Sequence, residues 1–290
     1  MPNCASEIYP NPVQFIFDTP AVVFRDHRWV LPVICQAAET DLLKIPVLLV
    51  TFDRHKDALR PEDRAKVLPK IRKTRCSFKE LINLVKYHLS PRDDDWIVSG
   101  MELGLISDAV QFGSAGRESE DSNGITEYVD SDGLRHRIFH LDRPLKELSY
   151  KGALVDNSHD AVQTGLWDVM GWSPAGKAIA AVDGSLLLDF DLDYFTVTWD
   201  TYTLPYSDEI YEGEFNKPCQ SRYYDDYRPS DFVREIAFKA GIITIATEPH
   251  FCGGAEKSQR ILDGGNRHLF EDRLCIRDLA VDYPPQYPTE

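Results

Sequence analysis

The chain predicts an α/β fold of three layers, α/β/α, with a mostly parallel central sheet. Three observations predict it. Almost wholly apolar, β-branched runs of strand length recur, with "IPVLLVTF" (45–52) the clearest. Amphipathic, helix-like segments separate those runs. Polar clusters follow directly after them, where parallel sheets gather ligands. The 290 residues carry 43% hydrophobic side chains, enough to build a substantial core. Residues 1–290 read as one domain, with a hairpin or loop insertion near 114–141.

The elements follow in order. "PAVVF" (20–24) reads as a strand, then a helix spans "WVLPVICQAAET", kinked or begun at Pro32. After the strand at 45–52, "SFKELINLVKYHL" (77–89) is an amphipathic helix with Ser77 as N-cap and Glu80 completing a capping box. "DDWIVSGMELGLI" (94–106) predicts a helix and "DAVQF" (108–112) a strand. "GRESEDSNG" (116–124) predicts a loop, and 125–141 a hairpin turning at Asp132-Gly133. "SLLLDFDL" is the next buried strand. "SDFVREIAFKAG" (230–241) predicts a helix capped by Ser230 and closed by Gly241, and "IITIAT" (242–247) a strand. The last clear helix is "AEKSQRILDGG" (255–265), stopped by its glycines.

Composition narrows the function classes. A net charge of −15 argues against a nucleic-acid partner and suits metal ions or a cationic substrate. No apolar run approaches the roughly 18 residues of a membrane span. The first residues lack the basic and apolar regions of a secretory signal. The six cysteines form no CxxC pair and read as reduced thiols, so a cytoplasmic location is expected. Assembly into a homo-oligomer is compatible with the sequence.

The chemistry lies in the polar clusters. Asp26 and His27 follow the first strand; Asp53, His55 and Asp57 follow the second. Asp189, Asp191 and Asp193 occupy alternate positions in "LLLDFDLDYF", and Glu248 and His250 follow the strand at 242–247. Carboxylates at every second strand position share a face and repel, so a positive partner is expected against them. One D-x-H-x-D is a weak signal; its place after an apolar run, with a second acidic pair after another, strengthens it. Carboxylates and imidazoles without thiolates suit Mn, Fe, Zn, Co or Ni, and the excess of carboxylates favours a harder ion such as Mn. Two ions about 3.5–4 Å apart, sharing carboxylates, would neutralise the aspartates and lower the pKa of a water between them. Asp189 itself is expected to be a strand residue satisfied by an arginine or backbone group.

These residues resemble the arginase/deacetylase (ureohydrolase) superfamily, which carries one His after an early strand, then D-x-H-x-D, then a late D-x-D. "VVFRDHRWVLP", "DDWIVSGMELG", "LLLDFDLDYF" and "TIATEPHFCGG" look most like its peptide arginases, which convert arginine to ornithine in ribosomally made peptides. The resemblance spans roughly residues 20–255. It implies two Mn ions per chain, one held by His27, Asp53, Asp57 and Asp191, the other by Asp53, His55, Asp191 and Asp193. It also implies that Glu248 grips the guanidinium of an arginine in a precursor peptide and that Asp57 is the general acid. A histidine often shuttles protons in this family; His250 ranks ahead of His88, His140 and His159 by its nearness to Glu248. The residues after D-x-H-x-D, "ALR", lack the polar group that binds a free amino acid, which leaves room for a larger substrate.

Rival readings remain. "LLLDFDLD" resembles the opening of haloacid-dehalogenase phosphatases, but neither Asp193 nor Phe195 supplies their fifth position. A metal-dependent amidohydrolase or deacetylase on the same fold would use a tandem His pair, and no two histidines are adjacent. A non-catalytic, metal-stabilised peptide-binding protein is the alternative of a different class. The run "RYYDDYRPSD" (222–231) reads as a surface loop suited to a basic extended chain.

Overall fold

The computed structural model describes residues 12–59, 68–73, 77–90, 92, 94–113, 125–141, 174–182, 185–199, 201–218 and 228–276. The loop expected at 116–124, most of the run at 222–231, and His159 lie outside them. The described strands are β1 (Gln14–Ile16), β2 (Thr19–Phe24), β3 (Val47–Phe52), β4 (Ile106–Phe112), β5 (Ile125–Val129), β6 (Arg135–Leu141), β7 (Leu186–Asp191), β8 (Thr196–Trp199), β9 (Tyr202–Pro205) and β10 (Ile242–Ala246). Eight form one sheet in the order β1-β2-β10-β7-β3-β4-β6-β5; β8 and β9 pair separately. The strands β2, β10, β7, β3, β4 and β6 run parallel, with an antiparallel strand at each edge.

Two apolar layers cover the sheet. On one face, Leu49, Leu187 and Ala246 pack beneath helices α1 (Val30–Glu39), α3 (Phe78–Tyr87) and α4 (Trp96–Glu102); α2 (Leu68–Lys73) adds Leu68. On the other, Val50, Leu188 and Ile245 pack against α5 (Pro174–Ala181), α6 (Asp208–Tyr211), α7 (Pro229–Lys239) and α9 (Ala255–Leu269). This is the three-layer α/β/α arrangement. The central strands are apolar on both sides because both sides are covered. Each fully buried Leu or Ile removed from water contributes about 1.5–3 kcal/mol. No described helix is long and apolar enough to cross a membrane.

Local signals explain most boundaries. Ser77 and Glu80 form the expected reciprocal cap: Ser77 N donates to Glu80 Oε2 at 3.0 Å, and Glu80 N to Ser77 Oγ at 3.3 Å. Pro32 does not begin α1; it sits in the first turn, where its missing N–H has no intrahelical partner to lose. The hairpin expected at 125–141 forms β5 and β6, with Gly133 at φ 82°. Asp130 Oδ1 accepts from the backbone of Asp132 and Leu134 in that turn. Through β6 the hairpin pairs with β4 and extends the main sheet.

Three helix boundaries differ from the sequence expectation. The helix expected over 94–106 is α4, confined to Trp96–Glu102, because Gly104 at φ 70° ends it and Ile106 already pairs with Val47. Helix α7 begins at Pro229, not after Ser230, and Asp231 accepts from the Arg228 backbone N–H at 2.9 Å. Helix α9 runs past its glycines to Leu269. A Cβ on Gly264 would lie 2.6 Å from the ring of Tyr211, so this glycine permits close packing instead of ending the helix.

The chain order also marks one crevice. From β3 the chain moves to β4 on one side, whereas from β7 it moves, through the β8–β9 hairpin, to β10 on the other. Neighbouring strands whose connections diverge leave a ligand cleft at their carboxyl ends. Gly113 lines this end: at φ 95°, a Cβ there would lie 2.5 Å from the carbonyl oxygen of Asp53 and 2.9 Å from the Tyr194 ring. Gly113→Ala is therefore expected to destabilise the chain by about 2 kcal/mol or more. The midpoint of urea unfolding measures this, and an unchanged midpoint would contradict the packing described.

Candidate metal centre

Four strand ends deliver the polar residues. His27 opens a 3₁₀ turn (His27–Trp29) after β2 and is fully buried. Asp53 follows β3, and Asp57 lies four residues on with φ 43°. Asp191 ends β7, and Asp193 sits in the 3₁₀ turn Leu192–Phe195 that follows. Glu248 follows β10 and precedes the short helix α8 (Pro249–Cys252), its backbone left-handed at φ 35°.

Two groups of ligand atoms result. His27, Asp53, Asp57 and Asp191 form one; Asp53, His55, Asp191 and Asp193 form the other; within each, the atoms lie within 4.8 Å of one another. Asp53 and Asp191 belong to both. The side chains are buried except His55, which is half-buried. Either group could hold a metal ion. The donor set fits a divalent cation of carboxylate and imidazole preference, because like charges about 4 Å apart repel by about 4 kcal/mol even at an effective dielectric of about 20.

The hydrogen bonds fix these groups individually. His27 Nδ1 lies 3.0 Å from Asp57 Oδ2, 3.5 Å from Asp191 Oδ2 and 3.8 Å from Asp53 Oδ2. Trp96 Nε1–H donates to Asp57 Oδ2 at 2.9 Å, and its ring lies 4.7 Å from that of His27. Asp53 accepts from the His55 backbone N–H at 2.6 Å and the Gln111 amide at 3.3 Å. Gln111 also donates to the carbonyl of His55 at 2.7 Å, which ties the D-x-H-x-D turn to β4. His55 Nδ1 lies 2.8 Å from Asp193 Oδ2, and the His55 ring packs at 5.0 Å against Phe251. Glu248 Oε1 accepts from the backbone N–H of His27 at 2.9 Å, so this buried carboxylate stands directly behind the first histidine.

Asp189 differs from the expectation of an arginine or backbone partner. Its carboxylate accepts from Thr51 Oγ1 and Thr244 Oγ1, each at 2.6 Å, and lies 2.6 Å from His27 Nε2. Asp26, beside His27 in sequence, faces Arg25 and Arg28 at 3.7 and 3.6 Å. His250 is exposed on α8 and contributes to neither ligand group. His88 is exposed at the end of α3. His140 is buried, 2.9 Å from Thr126 Oγ1, and burial with nearby Lys56 lowers its pKa to about 4.

The roles of Thr51, Trp96, Gln111 and Thr244 were not singled out by sequence reasoning. A signal existed for two of them. Thr51 in "VLLVTF" and Thr244 in "IITIA" are single hydroxyls in otherwise apolar buried runs, and a buried hydroxyl needs a partner.

The electrostatics register crowded negative charge. Burial, then the charges of Asp57 and Asp191, push the Asp53 carboxyl well above its ordinary range. Burial and Asp193 do the same to Asp191. Burial opposes the charged form of His27, but Asp189, Asp57 and Asp191 outweigh it and raise its pKa. Burial, with Asp191, Asp193 and Glu248 nearby, likewise raises the thiol of Cys252. No protein-family model matches the chain, and no curated protein matches it.

These directions set a pH dependence. Asp53 and Asp191 keep protons in the folded, metal-free chain above 3.8, where the unfolded chain has released them. His27 does so above 6.5. The folded state then binds more protons than the unfolded one, so metal-free stability falls as pH rises through these windows. A cation replaces those protons, so the stabilisation it adds grows with pH. The rise in melting temperature produced by Mn²⁺ is expected to be larger at about pH 8 than at about pH 5.5. Thermal melts with and without Mn²⁺ measure it, and a shift independent of pH would contradict it.

Proposed function

We propose that the chain is a dinuclear metal hydrolase that converts arginine side chains of a peptide to ornithine with release of urea. Maturation of a ribosomally synthesised peptide is the setting that the sequence resemblance implies. The observation that carries the reading is the pair of ligand groups sharing Asp53 and Asp191, with the Glu248 carboxylate hydrogen-bonded to the backbone N–H of His27.

Two divalent ions, Mn²⁺ being the best match to the donor set, would supply Lewis acidity and a water of lowered pKa. His27, Asp53, Asp57 and Asp191 would hold one, and Asp53, His55, Asp191 and Asp193 the other. The rest falls to the chain's own groups. Glu248 binds the planar guanidinium by charge-assisted hydrogen bonds and orients its central carbon toward the ligand cluster. Water adds to that carbon and gives a proton to Asp57, the Cζ–Nε bond breaks to release urea, and Asp57 passes that proton to the departing nitrogen, which becomes the ornithine amine. Trp96 holds the Asp57 carboxylate from behind while it does so.

Charge supports a cationic substrate. The four ligand carboxylates would balance two divalent ions, and the whole chain carries a net charge of −15, which suits a cationic substrate. Ala58 and Leu59 stand directly after Asp57, where the free-arginine enzymes of the resembled superfamily carry a polar residue, which favours arginine within a longer chain.

Incubation of the Mn²⁺-loaded protein with an arginine-containing peptide is expected to release urea and leave ornithine, read by mass spectrometry. Tight peptide binding without urea would instead identify a peptide-binding protein. Asp191→Ala is expected to lower metal content and abolish turnover while the protein stays soluble; a fully active variant would refute the site. Glu248→Gln is expected to raise KM for the peptide by roughly 10- to 100-fold, and an unchanged KM would remove Glu248 from guanidinium binding.

A further inference from the structure

We propose that Asp189 is the positioning residue of the His27 ligand group: its carboxylate holds the imidazole at Nε2 and thereby aims Nδ1 at Asp53, Asp57 and Asp191. This rests on the metal-centre part of the reading above and not on the identity of the substrate.

Register places the carboxylate. Thr244, Asp189, Thr51 and Gln111 are partners in the same row across β10, β7, β3 and β4. The row lies one side-chain layer behind the ligands, since Asp189 precedes Asp191 by two residues and Thr51 precedes Asp53 by two. Asp189 is fully buried and contributes no atom to either ligand group. A carboxylate in such a place is costly unless its oxygens are satisfied.

They are satisfied by donors only. Oδ1 takes the hydroxyl of Thr244; Oδ2 takes the hydroxyl of Thr51 and faces His27 Nε2 at 2.6 Å. The contact with Asp189 Oδ2 takes up Nε2 and leaves Nδ1 as the ring nitrogen that faces the ligand carboxylates. A cation bound among Asp57, Asp191 and Asp53 would meet Nδ1, the atom turned toward them. Trp96 braces the ring from the side, and Glu248 fixes the backbone of His27. The two threonines keep the carboxylate from rotating away, so the row across the sheet sets the direction of one metal ligand.

Mn²⁺ titration of the metal-stripped full chain tests this, with wild type, D189N, T51V and T244V compared. D189N is expected to weaken one of two Mn²⁺ sites roughly 10- to 100-fold and spare the other. T51V and T244V keep the side-chain shape, remove one hydroxyl each, and are expected to weaken the same site less; they carry the test if D189N does not fold. In the Zn²⁺-loaded chain, ¹⁵N spectra of the histidines are expected to show His27 as the single Nε2–H tautomer in wild type and a changed ring state in D189N. A merely structural role would lower the melting temperature of the metal-free chain without this site-selective loss. Wild-type Mn²⁺ affinity in D189N, or in T51V and T244V if D189N does not fold, would overturn the assignment. A wild type that binds no divalent ion would overturn it together with the metal centre. Site-selective loss in a chain that releases no urea would support it and count against the substrate alone.

Discussion

Crowded negative charge at the carboxyl ends of β3 and β7 is the constraint on which the rest of this structure depends. Asp53, Asp57, Asp191 and Asp193 cannot separate, because the strands that carry them are buried on both faces and locked in register. A one-residue slip of β7 would turn Asp189 and Asp191 into the aromatic layer of Phe52, Phe190 and Phe112, whose rings stack at 4.6 and 5.1 Å. The apolar core thus enforces a charge density that the carboxylates alone would disperse. Protons relieve it at low pH, and divalent cations can relieve it at neutral pH.

Backbone conformation follows the same constraint. Asp57 and Glu248 both adopt left-handed φ values without being glycine, at 43° and 35°. Such residues cost about 1–3 kcal/mol each and persist where the surroundings hold them. Here the holding contacts are visible. The carbonyl of Asp57 accepts from Ile97 N at 3.2 Å, and Glu248 N donates to Arg25 O at 2.9 Å. Both turns direct a carboxylate toward His27, one at its ring and one at its backbone.

Much of this was legible in the sequence, for physical reasons. Nearly continuous apolar runs identified β2, β3, β7 and β10, because strands covered on both sides need apolar residues at most positions. The D-x-H-x-D and D-x-D clusters were visible because ligands must follow strands directly to converge. The row linking Thr244, Asp189, Thr51 and Gln111 was not legible, since it exists only once β10, β7, β3 and β4 are ordered and in register. Trp96 was hidden in the same way: within "DDWIVSG" it reads as one more core residue, and only the fold brings its indole N–H to Asp57. The end of α9 was misjudged because Gly264 looks like a stop, whereas its missing side chain makes room for Tyr211.

Segments far apart in the chain converge on two groups of side chains that could each hold a cation. Anomalous diffraction from crystals grown with Mn²⁺ tests it most directly. Two peaks are expected that share Asp53 and Asp191 as common ligands, one completed by His27 and Asp57, the other by His55 and Asp193. A map with no peak among these side chains, or with a lysine amine in their midst, would contradict it.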